Sequence, residues 1–142
     1  MADERRKLEI SLVTPDGSVF EGEAEMIIVP GDAGEIGVLA RHAPLVAMLR
    51  AGSTRIHVSS NEVREFATGP GFFKVETDRA LALVDDAVNA KEIDVTRAET
   101  QLAAAKAELG LIESGESDGD RWQIAQRIRH AENQLGVATG AR

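Results

Sequence analysis

His42 is the side chain in this sequence best suited to acid–base chemistry, and Asp16 and Asp32 are the carboxylates that could orient it. A histidine–carboxylate pair becomes a hydrolase only with a nucleophile or a metal to act on. No serine stands near His42, and the 142 residues contain no cysteine, so neither a thiol nucleophile nor a thiolate metal site can form. His42, two residues before Pro44, therefore reads as a loop-packing residue, and His57 as a surface or sheet residue. Asp16 and Asp32 each adjoin a turn glycine, where an aspartate commonly hydrogen-bonds its own backbone. Two glycine-rich stretches, 31–37 and 69–71, lack the lysine and hydroxyl of a phosphate-binding loop and the three-glycine spacing of a dinucleotide fingerprint. They read as tight β turns, and no catalytic or metal-binding residues are assigned.

The elements around these residues change character near Asp85-Asp86. All four prolines, at 15, 30, 44 and 70, and eight of the thirteen glycines precede that point. Before it, Leu8, Ile10 and Leu12 alternate with polar residues, and Pro15-Asp16-Gly17 turns the chain into a strand through Val19 and Phe20. Met26 to Val29 is a continuous apolar run, expected to be a strand buried on both sides. Strands follow at Ile36–Leu39, Leu45–Leu49, Thr54–Ser59, Val63–Thr68, Phe72–Val75 and Arg79–Val84, with a hairpin tip at Asn61-Glu62. Of the paired rings Phe72-Phe73, one is expected in the core and one at an interface. The pattern predicts an all-β sandwich of about ten short strands, a flattened barrel, over residues 1–86.

After the break the period becomes helical. Val95, Ala98, Leu102, Ala105, Leu109 and Ile112 make one seam along a helix from Asp94, its N-cap, to Ile112. Gly110, Ser114-Gly115 and Gly119 are expected to loosen the chain beyond it. A second helix, from about Asp120 to Val137, sets Ile124, Ile128, Ala131 and Leu135 in line, with Trp122 and Ala125 beside them. The seams can pair as an antiparallel two-helix hairpin over residues 87–142. Its alanine-rich packing buries little apolar area, so it should be only modestly stable, as a conformational switch requires.

Composition narrows the functions. A net charge of −8 disfavours nucleic acid, whose phosphates call for clustered lysine and arginine, and a protein partner fits better. Four Phe, one Trp and no Tyr leave little for base stacking. The acidic stretch 113–120 is followed by Arg121, Arg127, Arg129 and Arg142 against Glu132 alone, so the last helix carries a basic face. The start, Met1 to Lys7, has no apolar stretch for a signal peptide, and no run approaches the roughly 18 apolar residues of a membrane span.

The stretch Gly34-Glu35-Ile36-Gly37-Val38-Leu39-Ala40-Arg41-His42-Ala43-Pro44-Leu45, with Leu49 and Gly52 following, resembles the signature loop of the epsilon subunit of bacterial F-type ATP synthases. Val13 to Gly17, Gly69 to Val75 and the Ile93-Asp94 junction fall in that family's order, and the resemblance spans Leu8 to about Ala138. It implies a noncatalytic rotor subunit whose sandwich touches the gamma subunit and the membrane c-ring, with Gly37, His42 and Pro44 in the contact loop. It also implies that the hairpin, when extended, reaches the alpha and beta subunits and blocks ATP hydrolysis. Arg121, Arg127, Arg129 and His130 are the positive charges expected to meet acidic residues there.

Some bacterial members of that family bind ATP between the helices through a motif that Ile93-Asp94-Val95-Thr96-Arg97-Ala98 matches. Asp94 could accept from the nucleobase or ribose while Arg97 donates. Where ATP-binding relatives carry an acid upstream and arginines late in the second helix, this chain has Val88, His130 and Gln134. ATP binding is therefore expected to be weak or absent, with Asp94 mainly a helix cap and no cofactor required. The resemblance further implies attachment at the cytoplasmic face of a bacterial plasma membrane, only through the complex. Two other readings stay open on the residues alone: a nucleotide-sensing or ligand-binding β domain, and, less supported, a hydrolase built on His42.

Overall fold

The computed structural model describes residues 6–140. The expected domain limits at residues 1 and 142, and Arg142 of the basic stretch, lie outside them.

Ten strands come first. They are β1 (Leu8–Thr14), β2 (Gly17–Ala24), β3 (Met26–Gly31), β4 (Gly34–Leu39), β5 (Leu45–Leu49), β6 (Gly52–Ser59), β7 (Glu62–Thr68), β8 (Gly71–Glu76), β9 (Arg79–Val84) and β10 (Ala87–Asn89). They are ordered β10-β7-β6-β3-β5-β8-β9-β1-β2, with β4 on the other side of β3. One residue pair, Gly31 with Leu49, joins β3 to β5, and the sheet folds over at that thin join. The two layers, β10-β7-β6-β3-β4 and β5-β8-β9-β1-β2, make the expected nearly closed sandwich. Every strand pair is antiparallel except β1 with β9, which is parallel. Leu8, Ile10 and Leu12 of β1, Ile27 and Val29 of β3, Ile56, and Phe73 and Val75 of β8 fill the space between the layers. Gly71 is fixed by packing, since a Cβ there would run into the carbonyl of Leu83.

The local chemistry departs from expectation in three places. Met26 and Ile28 are only partly buried, so β3 alternates instead of being buried on both sides. Burial of both faces needs a covering layer on each side, and this sheet has a partner layer on one. At the β1–β2 turn Thr14, not Asp16, makes the side-chain bonds: its hydroxyl donates to Gly17 O at 3.2 Å and accepts from Asp16 N–H at 3.1 Å. Beyond Asp86, Ala87–Asn89 pair with Phe66–Thr68 of β7, so the strand layer runs one strand past the expected boundary.

A 3₁₀ turn at Ala90–Glu92 leads into α1 (Val95–Glu113), and α2 (Arg121–Ala138) returns antiparallel along it. Asp94 caps α1 by accepting from Arg97 N–H at 3.0 Å, and Asp120 caps α2 by accepting from the backbone of Trp122 and Gln123. Ala98, Ala105, Ile124, Ala131 and Val137 are the buried helical residues. Two expectations fail here: Val95 is exposed at the first turn, and Trp122 is 65% exposed at the start of α2. α1 runs through Gly110 to Glu113, one residue past the expected end, since one interior glycine costs only about 1 kcal/mol. Of the two helices, α2 makes the main contact with the sandwich, meeting β6, β7 and the 3₁₀ turn.

Candidate functional site

Leu45 to Leu49 is apolar at every position, although a strand can present only alternate residues to the core. The surplus emerges on the outer face of β5, where Val46 is 62% and Met48 58% exposed. The ladder extends that surface sideways: Met48 lies opposite Phe72 on β8, and Phe72 opposite Leu83 on β9, itself 43% exposed. Phe73, the other ring of the pair, is fully buried, as expected.

At one end of this face lies the β4–β5 connection that carries His42 and Pro44. It is held by Asp78, in the β8–β9 turn, whose carboxylate Oδ1 accepts the backbone N–H of Arg41 at 2.5 Å. The carbonyl of Asp78 accepts Glu9 N–H at 2.8 Å, and its Oδ2 lies 3.6 Å from Arg6 Nε. Arg41, Thr77 and Asp78 all have positive φ, of 65°, 42° and 59°. Three non-glycine residues in the left-handed region are tolerated because these contacts overdetermine them. Within the loop His42 Nδ1 donates to Ala43 O at 2.7 Å. Since a carbonyl can only accept, Nδ1 carries a proton in this contact. No group of three or more His, Cys, Asp or Glu able to hold a metal occurs among the described residues. Gly37 is exposed in β4 opposite Ile28, and a Cβ there would touch nothing in this chain.

The basic residues of α2 are largely occupied by the chain itself. Arg121 lies 3.4 Å from Glu113, Arg127 lies 3.9 Å from Glu108 of α1, and His130 Nε2 lies 3.4 Å from Asp85 of the sandwich. Arg129 has no ion pair among the described residues. A cleft between the helices is lined by Asp86, Gln101, Glu108, Arg127, His130 and Gln134, and does not include Asp94 or Arg97. The Asp94 carboxylate is engaged by its own helix, while Arg97 is exposed on the first turn. Burial pushes the Asp86 carboxyl above the ordinary 3.8; Asp85 and Asp16 add to the rise, and His130 and the Ala87 N–H oppose it. Asp78, Asn133 and the apolar face on β5, β8 and β9 were not singled out from sequence. Only the apolar face had left a signal there, in strands that are apolar at too many positions.

The family described as ATP synthase, Delta/Epsilon chain, beta-sandwich domain matches residues 7–90. The ATP synthase epsilon chain of Rubrobacter xylanophilus is 38% identical over 141 residues, covering 97% of this chain and 96% of that one. That of Bacillus pumilus is 36% identical over 134 residues, covering 94% and 98%. Among solved structures, a chain of the Euglena gracilis mitochondrial ATP synthase, OSCP/F1/c-ring, superposes with a TM-score of 0.71 at 20% identity, covering 94% of this chain and 82% of that one. A chain of the Tetrahymena thermophila mitochondrial ATP synthase central stalk/c-ring gives 0.56 at 17%, covering 97% and 98%. These two likenesses are of fold. With near-complete coverage by the sequence relatives and a matching sandwich, the chain belongs to the epsilon-chain family of ATP synthases.

Proposed function

We propose that the sandwich braces the gamma subunit against the c-ring of a proton-driven ATP synthase, and that the helical hairpin restrains ATP hydrolysis by the alpha–beta head. As a member of the epsilon-chain family the chain is a noncatalytic subunit of an ATP synthase. The observation that carries the bracing role is the apolar face of Val46, Met48, Phe72 and Leu83 beside a loop already fixed by Asp78. A surface that is apolar and held in shape before contact loses little conformational freedom on binding. His42 and Pro44, in the loop beside this face, and Gly37, in β4 of the other layer, are the residues offered to the c-ring, and the open space beside Gly37 leaves room for a partner's close approach.

For the brake, the support is the cation set of α2. Ion pairs between exposed side chains are worth about 1 kcal/mol or less, so Arg121, Arg127 and His130 can exchange partners at small cost. Arg129 needs no exchange. Acidic residues of the beta subunits are the partners these charges fit. ATP plays at most a weak part: a polyphosphate entering the helix cleft would face the carboxylates of Asp86 and Glu108. Among the described residues no helix is long and apolar enough to cross a membrane, and attachment to the cytoplasmic face of the bacterial membrane comes through the complex.

The test is ATP hydrolysis by the cognate alpha, beta and gamma head with added protein. Val46→Asp/Met48→Asp should abolish binding to that head, and Arg127→Glu/Arg129→Glu should bind but fail to suppress turnover. Binding by the first variant equal to the parent would remove the bracing surface, and full suppression by the second would remove the brake.

A further inference from the structure

One polar side chain of α2 meets the sandwich at a defined place. Asn133 Nδ2 donates to Thr68 O at 3.0 Å and to Gly52 O at 3.3 Å. Gly52 and Thr68 face each other as the terminal rung of the β6–β7 ladder. Both protons of one amide are thus used on the open end of one ladder. The bonds continue inward: Thr68 Oγ1 donates to Gly52 O at 3.4 Å and lies 2.9 Å from Thr54 Oγ1, in the core. One helical turn before Asn133, His130 reaches Asp85, whose own N–H donates to Pro70 O. Two points of α2, three residues apart, therefore grip adjoining ends of the strand layer.

We propose that Asn133 is the latch that holds the hairpin on the sandwich, with His130–Asp85 as its second point. The latch suits a reversible contact. When α2 leaves, the amide and both carbonyls regain water, so the net strength of the bonds is about 0.5–1.5 kcal/mol each. An apolar latch of equal reach would expose a new hydrophobic patch on release; this one leaves polar atoms on both sides. Asn133 acts through the position of α2 and touches no reacting group. That the released hairpin inhibits hydrolysis rests on the function proposed above; that Asn133 holds the docked form does not.

The chain has no cysteine, so spin labels can be placed at will. Asn61→Cys on the β6–β7 tip and Glu116→Cys between the helices report the distance from sandwich to hairpin tip, both positions being exposed. In the full chain, Asn133→Asp keeps the side-chain shape but turns a carboxylate on the two carbonyls. It should lower the docked-to-released ratio about a hundredfold, and Asn133→Ala, which only deletes the two donors, about tenfold. His130→Gln should move it less. Amide protection of β1–β9 serves as the control for a folded sandwich. With the sandwich protected, distance distributions for Asn133→Asp and Asn133→Ala that match the parent would overturn the latch. Shifted distances with unchanged inhibition of the head would leave the latch standing and remove the brake instead.

Discussion

The sandwich buries Leu8, Ile10, Leu12, Ile27, Ile56 and Phe73 almost completely, whereas half of the well-buried helical positions or more are alanines: Ala98, Ala105 and Ala131, against Ile124 and Val137. Full burial of a large aliphatic or aromatic side chain contributes about 1.5–3 kcal/mol, and a methyl far less. The strand layers also fix their own parts, a loop through Asp78 and the β6–β7 pair through Thr54 and Thr68, while the helices meet the sandwich through Asn133 and His130. One chain thus combines a firmly packed part with a part that can be displaced at modest cost. The difference comes from side-chain size at the seam, not from helix against strand as such.

The sharpest way to break this contrast is at its strong end. Phe73→Ala should cost about 3–5 kcal/mol of sandwich stability, read from denaturant melting, because a fully buried ring leaves a cavity. A loss below about 1 kcal/mol would mean that the core is looser than its burial implies. Next comes the border. A chain ending after Asp86 should be less stable by about 1–3 kcal/mol than one ending after Glu92, since it lacks the β10 pairing with β7. Equal melting would return β10 to the helical part.

Smaller still, Asp94→Ala should cost about 1 kcal/mol, the value of an N-cap, and only in the helices. Hydrogen exchange would show it as faster exchange in the first turn of α1 with the strands unchanged; faster exchange in β3 or β6 would contradict the separation. The smallest effect concerns Asp86. Its folded carboxyl titrates above 3.8, so the stability linked to its proton is complete below that value and is lost as pH rises through the raised folded one. Ionised Asp86 is then a standing cost at neutral pH, and Asp86→Asn should melt slightly higher at pH 7, the gap closing toward about pH 4. A gap of constant size across that range would show that burial of the charge is not its cause.

Much of this was written in the sequence because period and punctuation act locally. Alternation placed β1 and β6, turn residues placed their ends, and Asp94 and Asp120 marked both helix starts. What escaped depends on partners distant in the chain. Asp78 looks like any turn aspartate until Arg41 is brought to it, 37 positions away, and Asn133 gains its meaning from Gly52 and Thr68. Trp122 escaped for the opposite reason: its size argued for a seam position, but it is 65% exposed at the start of α2. His130 was read as a charge for another subunit, and Asp85 occupies it in the docked form.

The parallel pairing of β1 with β9 sets an order of events during synthesis. Glu9 cannot find its neighbour Arg79 until some seventy further residues have left the ribosome, about 4–14 s at ordinary elongation rates. Until then β1 has only β2 beside it, and Asp78 is not yet present to set the loop of Arg41 and His42. The surface proposed to meet the rotor therefore does not exist on a nascent fragment. A chain released before Asp78 would lack both the parallel partner of β1 and the contact that sets the Arg41–His42 loop.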